Sequence, residues 1–165
     1  MSKATGPLYV VHFRRRREGV TDFAKRIALL KSGKPRLVVR KTNKYVVVQV
    51  VQLEQKGDKT VTSATSRQLA KYGFSGKANT PSAFLTGLLV ARAASKKGVS
   101  ECVADFGRHA ATKGSLLYAA VKGAMEGGLK IPVGGEVFPA QERLEGKHLK
   151  SPAGFSEAVK KIMAL

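Results

Sequence analysis

The chain has 165 residues, 43% of them hydrophobic, and carries 30 Lys/Arg against 11 Asp/Glu, a formal charge of +19. That length supports one compact domain with extensions and a core that needs no covalent staples, and the single cysteine, Cys102, excludes an internal disulfide. No apolar run approaches the roughly 18 residues of a membrane span. The apolar stretch Pro7 to Phe13 precedes the arginines, the reverse of a secretory signal. A cytoplasmic protein without membrane association is therefore expected.

Residues 1–20 read as an irregular basic arm, with four consecutive arginines at Arg14 to Arg17. Thr21 and Asp22 then open a helix, with Thr21 as N-cap and Asp22 near the positive end of the dipole. Phe23, Ile27 and Leu30 follow at i, i+4 and i+7 and make one apolar stripe, closed by Gly33 and Pro35. Two β-branched runs, Arg36 to Arg40 and Tyr45 to Leu53, predict a hairpin around Thr42-Asn43. Alternation puts Lys34, Arg36, Val38 and Arg40 on one face of its first strand and Leu37 and Val39 on the other. The nearly unbroken apolar run Val46 to Val51 predicts a strand covered on both faces. Lys56-Gly57-Asp58 reads as a turn and Lys59 to Thr65 as a third strand.

A short helix is predicted at Arg67 to Tyr72. A long one opens at Thr80-Pro81, buries Ala83, Phe84, Leu88, Ala91 and Ala94, and ends at Gly98. Glu101 to Phe106 predicts a fourth strand, Gly107 to Gly114 a loop, and Ser115 to Glu126 a second long helix. Leu129 to Val133 suggests a short last strand, and Ser156 to Leu165 a closing helix. This order predicts an α/β fold: a mixed β-sheet with helices on both faces, its first three strands an antiparallel meander and the later ones joined by crossovers. The domain organisation expected is an arm over 1–20, a core over 21–133 and a C-terminal extension over 134–165.

The charge points to a polyanion. Residues 1–45 hold 13 basic residues and 2 acidic ones, so about a quarter of the length carries more than half of the net charge. Such self-repulsion costs stability, which a nucleic acid restores by neutralising the cluster and releasing counterions. Arg14, Arg15, Arg16 and Arg17 suit phosphate because the planar guanidinium pairs its oxygens bidentately. Lys25 and Arg26 make the outer face of the first helix basic. Lys34, Arg36, Arg40, Lys41 and Lys44 in and beside the hairpin either continue the RNA surface or are edge charges that discourage aggregation. Tyr9, Phe13 and Tyr45 interleave with the cations, where they stack on unpaired bases or, for Phe13 and Tyr45, pack in the core. His12 in the arm, and Arg108, His109 and Lys113 before the second long helix, complete the candidate RNA-binding set.

No catalytic or metal centre is expected. His12, His109 and His148 pair with no Cys or carboxylate at ligand spacing. Lys113-Gly114-Ser115 lacks the upstream glycine of a phosphate loop, though the helix start there suits an RNA phosphate. No cofactor is expected.

Longer blocks resemble a known family. They include Thr5-Gly-Pro, Arg14 to Glu18, Thr21-Asp-Phe23, the ordered run Leu29 to Lys41, Ser66, Leu69 and Lys71-Tyr-Gly73. They continue through Pro81 to Leu89, Asp105-Phe-Gly107, Thr112 to Ser115 and Lys122-Gly-Ala124, with echoes at Ile131-Pro132, Glu136-Val137 and Gly146-Lys-His148. Together they resemble the 5S-rRNA-binding family of the large ribosomal subunit, universal protein eighteen, in its archaeal form. The resemblance implies a ribonuclease-H-like layout and a structural, non-catalytic role: clamping 5S rRNA and docking it onto large-subunit rRNA in the central protuberance, beside neighbouring ribosomal proteins. The alternative is a free-standing nucleic-acid enzyme or regulator of that fold. Nucleases of that layout need clustered carboxylates for two metals. Here Glu101 and Asp105 share one strand, while Arg36 to Lys41 and Tyr45 to Leu53 offer no acidic partner.

Overall fold

The computed structural model describes residues 6–149 and 154–165. Residues 1–5 of the expected arm and 150–153 of the expected extension lie outside them. The arginine run is not irregular: it forms a single helical turn, α1 (Arg14–Arg17), in which the Glu18 N–H donates to the Arg14 carbonyl at 2.9 Å. Arginine is a good helix former, and all four side chains are exposed.

The next helix, α2 (Phe23–Leu30), is capped by Asp22 and not by Thr21. The Asp22 carboxylate accepts the Lys25 N–H at 3.1 Å, while the Thr21 hydroxyl accepts from Arg15 Nε at 2.8 Å. The predicted stripe does not reach the core either. No residue of α2 is buried, and Ile27 is 56% exposed. Phe23 and Leu30 are half-buried, and Arg26 adds a polar contact from the helix to the sheet.

Four strands form one sheet: β1 (Arg36–Lys41), β2 (Val46–Glu54), β3 (Gly57–Thr65) and β4 (Val103–Asp105). Their order is β3-β2-β1-β4, antiparallel through the first three strands and parallel between β1 and β4. β1 is therefore interior, so its cations are not edge charges. Leu37 and Val39 face the same side as their register partners Val50 and Val48, and all four are fully buried. In β2 the alternate residues Val47 and Gln49 are half-buried. The strand is thus sealed on one face and partly covered on the other, where continuous cover on both was expected.

A 3-10 helix (Ser66–Tyr72) leads into α3 (Thr80–Ser95), whose N-cap Asn79 accepts the Ser82 N–H at 3.0 Å. Every residue from Thr80 to Leu88 is buried. α3 lies against β2 and β3, and α4 (Leu116–Glu126) against β1 and α3. The two helices touch backbone to backbone. A Cβ at Gly87 would stand 2.0 Å from the Ala120 carbonyl oxygen, and one at Gly123 2.0 Å from that of Phe84. The predicted strand at Leu129 to Val133 shrinks to one bridge, Glu101 to Lys130. Pro132, which has no N–H, cannot extend the ladder. Short α5 (Gln141–Glu145) and α6 (Phe155–Met163) bring Leu144, Ala158 and Ile162 into the same core. With α2 and the arm over the opposite, polar face of the sheet, the fold is a three-layer mixed α/β arrangement.

Candidate nucleic-acid interface

The polar face of the sheet is organised by one side chain. Arg36 is 3% exposed, and such a charge is stable inside a protein only when paired. Its Nη1 donates to Asp105 Oδ2 at 2.7 Å and its Nη2 to Asp58 Oδ2 at 2.7 Å. Arg26 of α2 donates to the same Asp58 oxygen at 2.8 Å. Arg40, further along β1 on the same face, reaches the Asp105 main-chain oxygen at 2.7 Å and its Oδ1 at 3.1 Å. Burial opposes the charge of Asp58, but the hydrogen bonds and positive charge of Arg26 and Arg36 outweigh it and hold its carboxyl below the ordinary value.

The sequence alone does not point to Asp58, because Lys56-Gly57-Asp58 has the composition of a turn. It lies on β3, opposite Leu53, two residues from the Thr60 that faces Val51 and hence on the side of Arg36. The signal for it was a lone acidic residue at period two from an exposed strand position. Asp58 and Asp105 thus approach one another across the sheet, but a guanidinium occupies the space between them, where a nuclease would hold metal.

Above this network lies a cleft of about 340 Å³. Arg15 and Val20 line it from the arm, Thr21, Asp22 and Arg26 from α2 and the residues that open it, Arg36 and Arg40 from β1, and Asp105, Gly107, Arg108 and His109 from β4 and the turn after it. The turn depends on Gly107, whose φ of +60° suits no branched side chain and whose Cβ would stand 3.0 Å from the Arg40 guanidinium carbon. Arg108 lies against the arm, its Nη1 3.2 Å from where a Cβ of Gly19 would be.

Of the cations expected from sequence, the fold brings Arg15, Arg26, Arg36, Arg40, Arg108 and His109 into this one cleft. Arg14, Arg16 and Arg17 stand exposed on α1 beside it, with Tyr9 and His12 exposed on the preceding chain. Lys25 is exposed, with Asp22 at 3.9 Å. Lys41 and Lys44 project from the β1–β2 hairpin. Lys34 is tied to Glu101 at 2.6 Å, a hydrogen bond that with the lysine's charge lowers the Glu101 carboxyl. Lys113 is exposed and does not line the cleft; it lies 3.7 Å from Glu136. Phe13 is 85% exposed, not packed in the core, and Tyr45 is half-buried. Cys102 is sealed in the core, where burial pushes its thiol up to about 11 and leaves it unreactive.

A family model described as ribosomal large subunit proteins 60S L5 and 50S L18 matches residues 8–101. The chain is 51% identical to the large ribosomal subunit protein uL18 of Methanoregula boonei, over 88% of its own length and 84% of that protein. It is 50% identical to uL18 of Korarchaeum cryptofilum, over 87% of its own length and 74% of that protein. Against uL18 of Methanospirillum hungatei it is 47% identical, over 88% and 84%. About half of the aligned residues are thus shared with archaeal proteins along most of their length, and the chain belongs to the archaeal uL18 family, structural and non-enzymatic constituents of the large ribosomal subunit in the cytoplasm.

Proposed function

We propose that this protein binds 5S rRNA and helps attach it to the large-subunit rRNA in the central protuberance, beside neighbouring ribosomal proteins. The observation that carries the RNA-binding reading is the exposed α1 turn of four arginines set against the cationic cleft. Phosphate contacts of this kind position a protein on RNA, while exposed aromatics such as Tyr9 and Phe13 offer faces for unpaired bases. The choice of 5S rRNA rests on the resemblance of the blocks from Thr5 to His148. In this reading residues 1–20 are the gripping arm and 21–133 the core, with 134–165 an extension that folds back onto α3. Lys25, Lys41, Lys44 and Lys113 widen the footprint. Arg36 acts from beneath, by holding the frame.

The test is a binding titration of the full chain with cognate 5S rRNA and with an unrelated structured RNA of similar length. Neutralising about six to ten phosphates predicts an affinity loss of roughly 10³ to 10⁵ between 50 and 200 mM salt. Affinity that ignores salt would remove the electrostatic account. Equal affinity for both RNAs would remove the 5S assignment.

A further inference from the structure

We propose that the cleft between arm and core is a recessed seat for a single phosphate group, and that filling it locks the arm onto the sheet. The proposal deepens the RNA-binding reading and rests on it for the source of the phosphate. Five guanidinium groups line the cleft against two carboxylates, and counting Asp58 behind them still leaves an excess of two positive charges. The floor is built and rigid: the Arg36 side chain is 4% exposed and fixed by Asp58 and Asp105. Its Nε is buried without a hydrogen-bond partner, an unused donor beneath the cleft.

The rim is different. The ion pairs of the cleft engage Arg26, Arg36 and Arg40, and among the described residues none engages Arg15 or Arg108. Among the described residues Arg15 uses only its Nε, on Thr21, so its terminal nitrogens remain for a ligand. These two free forks line the same cleft from different elements, Arg15 from α1 and Arg108 from the loop after β4, where Arg108 lies against Gly19. Repulsion between like charges in a half-enclosed space is relieved by an anion, and guanidinium groups grip phosphate oxygens bidentately. A phosphate held by both would bridge arm and core. The group is either an RNA backbone phosphate or free inorganic phosphate.

The experiment has an RNA-free arm and an RNA arm. In the first, inorganic phosphate replaces chloride at fixed ionic strength, and amide exchange over residues 14–22 and thermal midpoint are recorded. The wild type and Lys160→Gln, an exposed lysine of α6 that does not line the cleft, should show slowed exchange and a raised midpoint. Arg108→Gln and Arg15→Gln should each need about tenfold or more phosphate for the same effect, as removal of a charge-assisted hydrogen bond implies. Their midpoints in chloride report that they fold. No phosphate effect in the wild type, or the same effect in all the variants, overturns the seat. In the second arm, Arg108→Gln should lower the salt slope of RNA binding by about one unit, which assigns the seat to an RNA phosphate. An unchanged slope with the phosphate effect intact assigns it to free phosphate. If the wild type fails to prefer 5S rRNA, the proposed function falls, while the RNA-free arm still decides the seat.

Discussion

Arg36 is where charge, packing and topology meet. It sits on the interior strand β1 and joins Asp105 on β4 to Asp58 at the start of β3, so one guanidinium spans the sheet from one side to the other. Removing one partner of a buried pair leaves the others uncompensated, at about 3–5 kcal/mol. Arg36→Met should accordingly lower stability by about 3 kcal/mol in chemical denaturation, the lower end because Arg40 still serves Asp105. Arg36→Met combined with Asp105→Asn should recover part of the deficit. RNA affinity per folded molecule should hold in the single variant; a fall in that affinity would make Arg36 an RNA contact and not a frame residue. The same network sets an acid limit. The folded carboxyl of Asp58 lies below its unfolded value, near 4. Its contribution is therefore complete above that pH and lost as pH falls through the lower folded value. Denaturation followed from neutral pH downward should show wild-type stability dropping in that acid window, with a shallower drop for Asp58→Asn. Parallel curves would deny Asp58 its role.

Among the elements, the α3–α4 crossing depends on the absence of side chains. Gly87 and Gly123 each sit where a Cβ would overlap the partner helix's backbone, and backbone cannot move aside as a flexible side chain can. Gly87→Ala gains about 1 kcal/mol in helix propensity but must separate two helices packed along most of their length. Overpacking of this kind costs about 1–3 kcal/mol, sometimes more. A net fall in stability for Gly87→Ala, measured by thermal unfolding, is expected despite the better helix former. A gain would show that the crossing relaxes freely. These long helices were legible in the sequence, since Thr80-Pro81 and the dense apolar content of α3 leave few alternatives. So was the meander, because β-branched runs separated by turn residues have one favourable use. What was hidden depended on distant partners. The stripe of α2 satisfies the helical period, yet it meets a polar sheet face and remains half-exposed. Whether Thr21 or Asp22 caps that helix turned on Arg15, which draws the threonine hydroxyl away. The cleft was legible as a set of cations but not as a place, since nothing in local spacing unites Arg15, Arg40 and Arg108. The pairing of β1 with β4 brings Arg40 beside Arg108, and the packing of the arm over that face adds Arg15.

At the scale of the whole molecule, binding and folding draw on different parts of the chain. The α1 arginines are exposed, and among the described residues the side-chain hydrogen bond that ties them down runs only from Arg15 to Thr21, whereas Val48 is fully buried beneath α3 in the middle of the sheet. Changing Arg14 to Arg17 all to Ala removes four positive charges and no buried area. The melting temperature should stay close to that of wild type, or rise slightly as self-repulsion is relieved. RNA affinity should fall steeply, and the salt slope should become shallower by up to about four units, one for each phosphate no longer neutralised. Val48→Asp puts an unpaired charge among Leu37, Val39 and Val50, where no group answers it. That variant should lose its cooperative unfolding transition, and its RNA binding should disappear with the fold instead of weakening in proportion to charge. Melting and RNA titration on the two variants separate these effects. If the four-alanine variant melts as early as the Val48 variant, the arginine turn carries part of the core's stability, and a division between gripping arm and folded body is wrong. If it melts like wild type and still binds 5S rRNA with an unchanged slope, the RNA is held elsewhere, on the hairpin lysines Lys41 and Lys44 or in the cleft behind.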